Sequence, residues 1–153
     1  MPPVIDGPLA GQSCVCIPIL RLLPDWFGIE AAILTYEREI DHLSTFLAKE
    51  GGNILGFLSM KQHFPASAEI YIMGVRPEAH RRGIGRALVT AAEAHARELG
   101  IEYMQVKTLA PSCPDDGYAR TRTFYEAMGF RPLEEFKQIW DEINPCLILV
   151  KRL

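Results

Sequence analysis

The sequence has little of what marks membrane, secreted or nucleic-acid-binding proteins. No apolar run approaches the roughly 20 residues that a membrane-spanning helix needs. Residues 1–12 contain no basic segment followed by a long apolar one, so no secretory signal is expected. Positive charge is not in excess either, with 16 Lys and Arg against 19 Asp and Glu and a net charge of −3. We therefore expect a cytoplasmic protein with no membrane partner and no nucleic-acid partner.

Cysteine is also scarce and is not arranged for a metal or a disulfide framework. The four cysteines are Cys14, Cys16, Cys113 and Cys146. They form no CxxC pair and no Cys/His array with zinc spacing. The pattern predicts free thiols in a reducing compartment and no bound metal.

The chain does have the length and patterning of one mixed α/β domain. A length of 153 residues matches a single domain, which we assign to residues 1–153. Residues 1–13, rich in Gly and Pro, are expected to be irregular. Hydrophobic periodicity predicts, in chain order, a strand at 14–22, mixed helical and loop signals over 24–41, a hairpin over 44–64, strands at 68–75 and 101–110 around a helix from 83 to 100, a helix over 118–128, and closing strands at 130–136 and 145–153. This order predicts a mixed sheet with helices on its faces.

The most informative stretch is "HRRGIGRAL", residues 80–88. It follows a predicted strand and opens a predicted helix. Gly83 and Gly85 have no Cβ, so a ligand can approach the backbone closely. The free N–H groups of a helix start attract anions, and residues 76–86 hold four arginines against one glutamate. The stretch predicts a site for a pyrophosphate or a similar phosphate group.

Two familiar phosphate-binding motifs do not fit this stretch. A dinucleotide-binding GxGxxG would require a third glycine where Leu88 stands, directly after the strand and with an acid ending the next strand. A P-loop would require GK[ST], but Arg86 and Ala87 follow Gly85. Both alternatives fail on spacing.

Two stretches together resemble the GNAT acetyltransferase superfamily. "VRPEAHRRGIGRALV" (75–89) is similar to that family's acetyl-CoA motif, written [Q/R]xxGx[G/A], and "FYEAMGFRPL" (124–133) is similar to its C-terminal motif. The resemblance covers residues 44–138. It implies an α/β (α+β) fold with a mixed, mostly antiparallel central sheet of about six to seven strands, flanked by helices and splayed near the cofactor site.

The resemblance also implies an activity. The protein would be an N-acetyltransferase that moves an acetyl group from acetyl-CoA to a primary amine by direct attack in a ternary complex. The acceptor would be a small molecule or a protein amine. Members of the family are often dimers, so a homodimer is an alternative to a monomer, although the sequence shows no interface stripe.

Carried over residue by residue, the motif assigns the cofactor site. The backbone of Met73, Gly74 and Val75 would meet the pantetheine and the thioester carbonyl. The pyrophosphate would be held by the loop that follows, made of His80, Arg81, Arg82, Gly83, Ile84, Gly85 and Arg86. This sequence departs from the family at His80, where Gln or Arg is usual, and at Tyr118, where many members have Asn.

The resemblance places two catalytic residues. Glu69 matches the strand glutamate that some histone acetyltransferases in the family use as a base. Alternation along the strand predicts that Glu69, Tyr71, Met73 and Val75 share one face, opposite Ile70 and Ile72. Tyr125 matches the tyrosine that many members place near the CoA sulfur. A phenol with an ordinary pKa of about 10 is protonated at neutral pH and can donate to a thiolate.

The acceptor is the part on which the sequence says least. Trp26, Phe27, Tyr36 and Tyr118 are candidates for the wall of an acceptor pocket. Four acids are candidates for attracting a cation: Glu37, Glu39, Asp115 and Asp116. Two other functions stay open at this point, a non-catalytic acyl-CoA-binding sensor and an unrelated module that binds another phosphate ligand.

Overall fold

A computed structural model describes residues 3–153. Along this part of the chain run seven strands, four α-helices and one short 3₁₀ turn, Pro77–Ala79. The helices are α1 Ser13–Arg21, α2 Glu30–Ile40, α3 Ile84–Glu98 and α4 Asp116–Ala127. The strands are β1 Val4–Leu9, β2 Ser44–Glu50, β3 Asn53–Phe64, β4 Ser67–Val75, β5 Tyr103–Leu109, β6 Arg131–Phe136 and β7 Cys146–Arg152. None of these helices is both long and apolar enough to cross a membrane.

The strands form one sheet in the order β1-β2-β3-β4-β5-β7-β6. Every neighbouring pair is antiparallel except β4 and β5, which run parallel and are joined by the long helix α3. A parallel pair needs such a crossover, whereas the antiparallel pair β2 and β3 is closed by a tight turn at Gly51 and Gly52. The expected mixed, mostly antiparallel sheet with flanking helices is confirmed.

The sheet splays between β4 and β5. The two strands pair only from Ser67 with Tyr103 to Ile70 with Val106. Beyond that point β4 continues to Val75 and β5 continues to Leu109, with no pairing between them. The predicted splay is therefore present, and it leaves a gap in the middle of the sheet.

The prediction of a strand at 14–22 is wrong, because these residues form helix α1. Cys16, Ile19, Leu20 and Leu23 recur at helical spacing and are buried. Pro18 lies inside this helix and the segment is rich in residues that favour strands. Packing of one apolar face on the sheet outweighs both local preferences.

Residues 1–13 were expected to be irregular. Residues 1 and 2 lie outside the part of the chain that the structure describes, and for the rest of this segment the expectation is wrong. Residues Val4–Leu9 form β1, which pairs antiparallel with β2. Lys49 of β2 donates to Asp6 of β1 at 2.8 Å. The partner strand lies some forty residues along the chain, so local sequence carries no trace of the pairing.

A β-bulge in β4 changes the face to which its side chains point. Ser59 of β3 pairs with Ile72 and Met60 pairs with Ile70, so Tyr71 has no partner of its own. As a result Ile70 packs in the core beneath α3, whereas Ile72 packs in the core beneath α1 and α2. The predicted alternation therefore holds as far as Tyr71 and is wrong from Ile72 onward.

The bulge has a consequence for the cleft described below. Tyr71 packs on the α1/α2 side of the sheet, and Met73 and Val75 pack on the α3 side. Near the splay, β4 therefore contributes side chains to both faces of the sheet.

A buried ion pair ties α3 to the far part of the sheet. Glu93 of α3 is 4% exposed, and its carboxylate lies 2.7 Å from the ammonium of Lys151 on β7. Lys151 also donates to the carbonyl of Met128 at 2.7 Å. Because Glu93 is buried and Lys151 is half-buried, removing Lys151 would strand the buried charge of Glu93.

Candidate active site

A cleft of about 800 Å³ passes through the splay. Its walls come from the unpaired ends of β4 and β5, the loop before α3, one side of α4, and the segment between α1 and α2. The cleft therefore joins the two faces of the sheet. A cleft of this size fits a ligand as large as a nucleotide-bearing cofactor fragment.

The loop before α3 forms an anion-binding concavity. Arg81 has φ 63° and Gly83 has φ 77°, both in the left-handed region. For Arg81 this conformation is uncommon, because its Cβ crowds the backbone. Successive N–H groups in such a turn point to the same side, and no side chain caps the start of α3. The dipole of this helix of 15 residues adds to the attraction for an anion.

The arginines of this loop do not all face the cleft. Arg81 and Arg86 line it, as do His80, Gly83, Ile84 and Gly85. Arg82 is not among the lining residues, and its guanidinium pairs instead with Glu50. Arg76 donates to the carbonyl of Ile54 at 2.7 Å and so fixes the end of β4 to β3. The positive charge available to a ligand in the cleft is therefore smaller than the sequence count suggests.

The backbone at the end of β4 presents alternate residues to the cleft. The N–H of Arg76 donates to the carbonyl of Leu55 at 2.8 Å. Since hydrogen-bonding residues alternate along an antiparallel ladder, Gly74 also turns its backbone groups to β3. Met73 and Val75 then turn theirs toward the splay, where β5 makes no pair with them.

Two contacts refine this picture of β4. The ring Nε2 of His80 lies 2.7 Å from the carbonyl oxygen of Val75 and must donate to it, because a carbonyl only accepts. A Cβ at Gly74 would lie 3.2 Å from the ring of Phe57 and 3.3 Å from the side chain of Leu20. Gly74 therefore serves the close packing of α1 on the sheet.

Glu69 lies in the cleft as a buried carboxylate with two partners. It is 5% exposed. Its Oε1 lies 2.7 Å from Nε2 of His63, and its Oε2 accepts from Lys107 at 3.0 Å. His63 is the more exposed member, with 31% of its side chain accessible. His63 also borders a second, shallow depression on the outer surface, so it lies between the cleft and bulk water.

Tyr125 lies on α4 and lines the other side of the cleft. Its ring packs edge-on against Phe124 and Phe130, with centroids 5.2 and 5.6 Å away. Burial raises the pKa of its phenol well above the ordinary value, because the charged form is poorly solvated. The hydroxyl therefore stays protonated across the whole physiological range.

The four aromatic residues predicted to wall an acceptor pocket are brought together. Trp26, Phe27, Tyr36 and Tyr118 all line the cleft. The hydroxyl of Tyr118 donates to the carbonyl of Trp26 at 2.8 Å, and burial raises the pKa of Tyr118 to about 12. These contacts join α4 to the segment between α1 and α2 across the mouth of the cleft.

The four acids considered for attracting a cation do not line the cleft. Asp115 accepts the N–H of Tyr118 at 3.0 Å and caps α4. Glu39 lies 3.7 Å from the ammonium of Lys61. Within the described residues 3–153, Glu69 is the only Asp or Glu whose side chain lines the cleft.

Several lining residues were not anticipated from the sequence. They include Lys61 and Tyr71 on neighbouring strands, Lys107 on β5, Thr108 beside it, and Trp140 in the loop between β6 and β7. Lys107 meets Glu69 because β5 runs parallel to β4 at this register, which no local pattern reveals. Nowhere in residues 3–153 do three or more His, Cys, Asp or Glu side chains gather as a metal site would require.

Comparison with known proteins gives one consistent answer. The model of the Acetyltransferase (GNAT) family matches residues 19–130. The mycothiol acetyltransferase of Thermobispora bispora is 32% identical over 96 residues, which are 59% of this chain and 30% of that protein. The chain spans about a third of the length of the curated relatives that it matches.

Solved structures agree in fold. A GNAT-family protein from Desulfovibrio desulfuricans superposes with a TM-score of 0.83 over 98% of both chains, at 17% identity. A GNAT acetyltransferase from Elizabethkingia anophelis, solved with acetyl-CoA bound, superposes with a TM-score of 0.74 at 20% identity, covering 99% of this chain and 98% of that one. At these identities the likeness shows a shared fold.

Proposed function

The chain belongs to the GNAT acetyltransferase family, and we propose that it moves an acetyl group from acetyl-CoA to a primary amine by direct attack in a ternary complex. One observation carries the proposal. The cleft through the splay ends on a loop whose N–H groups converge at the start of α3, beside two arginines that face the ligand space. An elongated acyl donor with a pyrophosphate at one end suits this arrangement.

In this proposal the donor lies along the unpaired edge of β4. The backbone N–H groups of residues 82–86 and the side chains of Arg81 and Arg86 hold the pyrophosphate. His80 acts by fixing the carbonyl of Val75, and Arg82 contributes its backbone alone. Met73 and Val75 offer backbone groups to the pantetheine arm and to the thioester carbonyl, where negative charge develops as the amine attacks.

The proton of the acceptor ammonium goes to Glu69. The amine nitrogen can attack the thioester carbon only after it has lost that proton. The carboxylate takes it directly or through the imidazole of His63, 2.7 Å away. Since His63 is the more exposed of the two, it is the route by which the proton leaves for bulk water.

The leaving sulfur receives a proton from Tyr125. As the carbon–sulfur bond of the tetrahedral intermediate breaks, the CoA thiolate forms and takes the phenolic proton. The raised pKa of Tyr125 keeps the phenol protonated until that moment. The nitrogen of the intermediate still carries one proton more than the amide product, and the loss of that proton restores the phenol of Tyr125 before the next turnover.

The whole of residues 1–153 is taken as one catalytic domain in this proposal, acting in the cytoplasm. The four cysteines are free thiols, in keeping with a reducing compartment. The acceptor is a primary amine on a small molecule or a protein. That the relatives are named for mycothiol is a fact about longer proteins, of which the matched part of this chain covers about a third.

Calorimetric titration of the purified protein tests the proposal. We expect acetyl-CoA and CoA to bind, and ATP and NAD to bind far more weakly. A preference for ATP or NAD would contradict the proposal in favour of a different phosphate-ligand module. Tight acetyl-CoA binding without release of CoA thiol in the presence of any amine would instead favour a non-catalytic sensor.

A further inference from the structure

We propose that the acceptor is an amine that also carries a carboxylate close to the amine, on an apolar or aromatic body, as a free aromatic amino acid does. The inference rests on the proposed function and names the acceptor class for that same cleft. It follows from the charge and from the aromatic wall on the α1/α2 side of the splay.

Three charged side chains form a row across the sheet on this side. Lys61 of β3 stands opposite Glu69 of β4. Glu69 stands opposite Gln105 of β5, and Lys107 lies two residues further on, hence on the same face. All three charged groups line the cleft. Along this row the charges alternate, with Lys61 positive, Glu69 negative and Lys107 positive.

The single negative charge of this row already has its partners. Lys107 lies 3.0 Å from one oxygen of Glu69 and His63 lies 2.7 Å from the other. An acceptor with several cationic groups would find no further carboxylate in the lining. A polyamine or a polycationic antibiotic is therefore a poor fit, since each additional cation meets lysines.

Lys61 supplies the charge that favours a carboxylate. Its ammonium lies 5.5 Å above the ring of Tyr71 and 3.7 Å from Glu39, which is 43% exposed at its side chain. The contact with Glu39 is long and exposed to solvent, so it is weak, and the ammonium of Lys61 can still attract an anionic group of a ligand. A carboxylate on the acceptor would sit between Lys61 and Lys107 while the amine faces Glu69.

The remaining wall is aromatic. Tyr36 packs edge-on against Tyr71 at 5.9 Å and against Phe27 at 6.1 Å between ring centroids. Burial raises the pKa of both tyrosines, so neither brings negative charge. Such a surface takes the flat, apolar body of a ligand.

The protein contains its own probe for this ligand. Its two tryptophans, Trp26 and Trp140, both line the cleft, so intrinsic fluorescence reports occupancy without any turnover. The CoA-saturated protein is titrated with L-phenylalanine, with phenethylamine, which lacks the carboxylate, with L-phenylalaninamide, which is neutral there, and with spermidine. We expect L-phenylalanine to bind at least about tenfold more tightly than each of the others, as a charge-assisted hydrogen bond allows.

A pair of lysine variants shows whether the preference comes from the row. Lys61→Met should reduce the preference for L-phenylalanine over phenethylamine roughly fivefold or more. Lys137→Met removes the same charge from an exposed residue outside the cleft and should leave the preference unchanged. Equal effects of the two variants would overturn the role of Lys61.

The outcomes separate this inference from the proposed function. Failure of the protein to bind CoA in the first step would sink the acetyltransferase proposal itself. Normal CoA binding, with phenethylamine or spermidine bound as well as L-phenylalanine or with none of the four bound, would overturn the acceptor class alone.

Discussion

Replacing Gly83 with alanine tests whether the loop before α3 is built for a ligand or only for a turn. Gly83 has φ 77°, and a Cβ added there would meet nothing within 4 Å. The substitution therefore causes no clash in the free protein. Its cost is conformational, about 1–2 kcal/mol for an L-residue in the left-handed region. For a protein of this size each kcal/mol lowers Tm by roughly 2–4 °C, so we expect a fall of about 2–8 °C.

The effect on the ligand should be larger than the effect on stability. Gly83 lines the cleft, so an added methyl group should narrow the space in which the pyrophosphate of acetyl-CoA would approach the backbone. We expect the affinity for acetyl-CoA to fall at least about tenfold, which is 1.4 kcal/mol of binding free energy. Calorimetric titration measures this directly, and differential scanning calorimetry measures the stability.

Gly52 provides a matched control for that change. It has φ 86° in the turn between β2 and β3, and a Cβ there would also meet nothing within 4 Å. Gly52→Ala should lower Tm by the same few degrees and leave acetyl-CoA binding unchanged. If Gly83→Ala and Gly52→Ala bind acetyl-CoA equally well, the loop is not the pyrophosphate site and the reasoning fails.

Three further substitutions test the chemistry and the core. Glu69→Gln should lower kcat about a hundredfold or more while acetyl-CoA still binds, and an unchanged kcat and pH profile would exclude Glu69 as the base. Tyr125→Phe should lower kcat while leaving the Kd for acetyl-CoA nearly intact. Because burial raises the pKa of Tyr125, the phenol of the wild-type protein should stay protonated up to at least about pH 10, and its ionisation should not reduce kcat below that pH. Lys151→Met should lower the free energy of unfolding by about 3–5 kcal/mol, because it strands the buried charge of Glu93. Adding Glu93→Leu should restore most of that free energy, as measured by denaturant unfolding. A double variant as unstable as Lys151→Met would refute the pairing.

Local sequence was enough to predict α3 and the loop before it. The glycines, the arginines and the apolar stripe of the helix lie within twenty residues, so their geometry depends on neighbours along the chain. The same holds for the hairpin of β2 and β3, whose turn contains Gly51 and Gly52. Short-range chemistry determines both features.

Elements that depend on distant partners were harder to predict. Helix α1 was predicted as a strand, because composition favoured a strand while burial of Cys16 and Leu20 against the sheet favoured a helix. Strand β1 exists only because β2 lies beside it. In both cases tertiary packing outweighs the local preference.

The candidate site shows the same division. Alternation predicted that Glu69 and Met73 share a face, but the bulge at Tyr71 places them on opposite sides of the sheet. The sequence motif also predicts that Arg82 binds the phosphate, whereas its guanidinium pairs with Glu50. The meeting of Lys107 with Glu69 depends on the register of a parallel pair, which a single sequence does not encode visibly.

Transfer of an acetyl group from acetyl-CoA to an amine is the reaction that we propose for this protein. Its most direct test follows free CoA thiol during incubation with acetyl-CoA that carries a labelled acetyl group and with a set of primary amines that includes an aromatic amino acid. Mass spectrometry then identifies the labelled acceptor. We expect thiol release that depends on the acceptor, with one label on the amine nitrogen for each thiol released. Thiol release without a labelled amine, or none with any amine although acetyl-CoA binds, would contradict it.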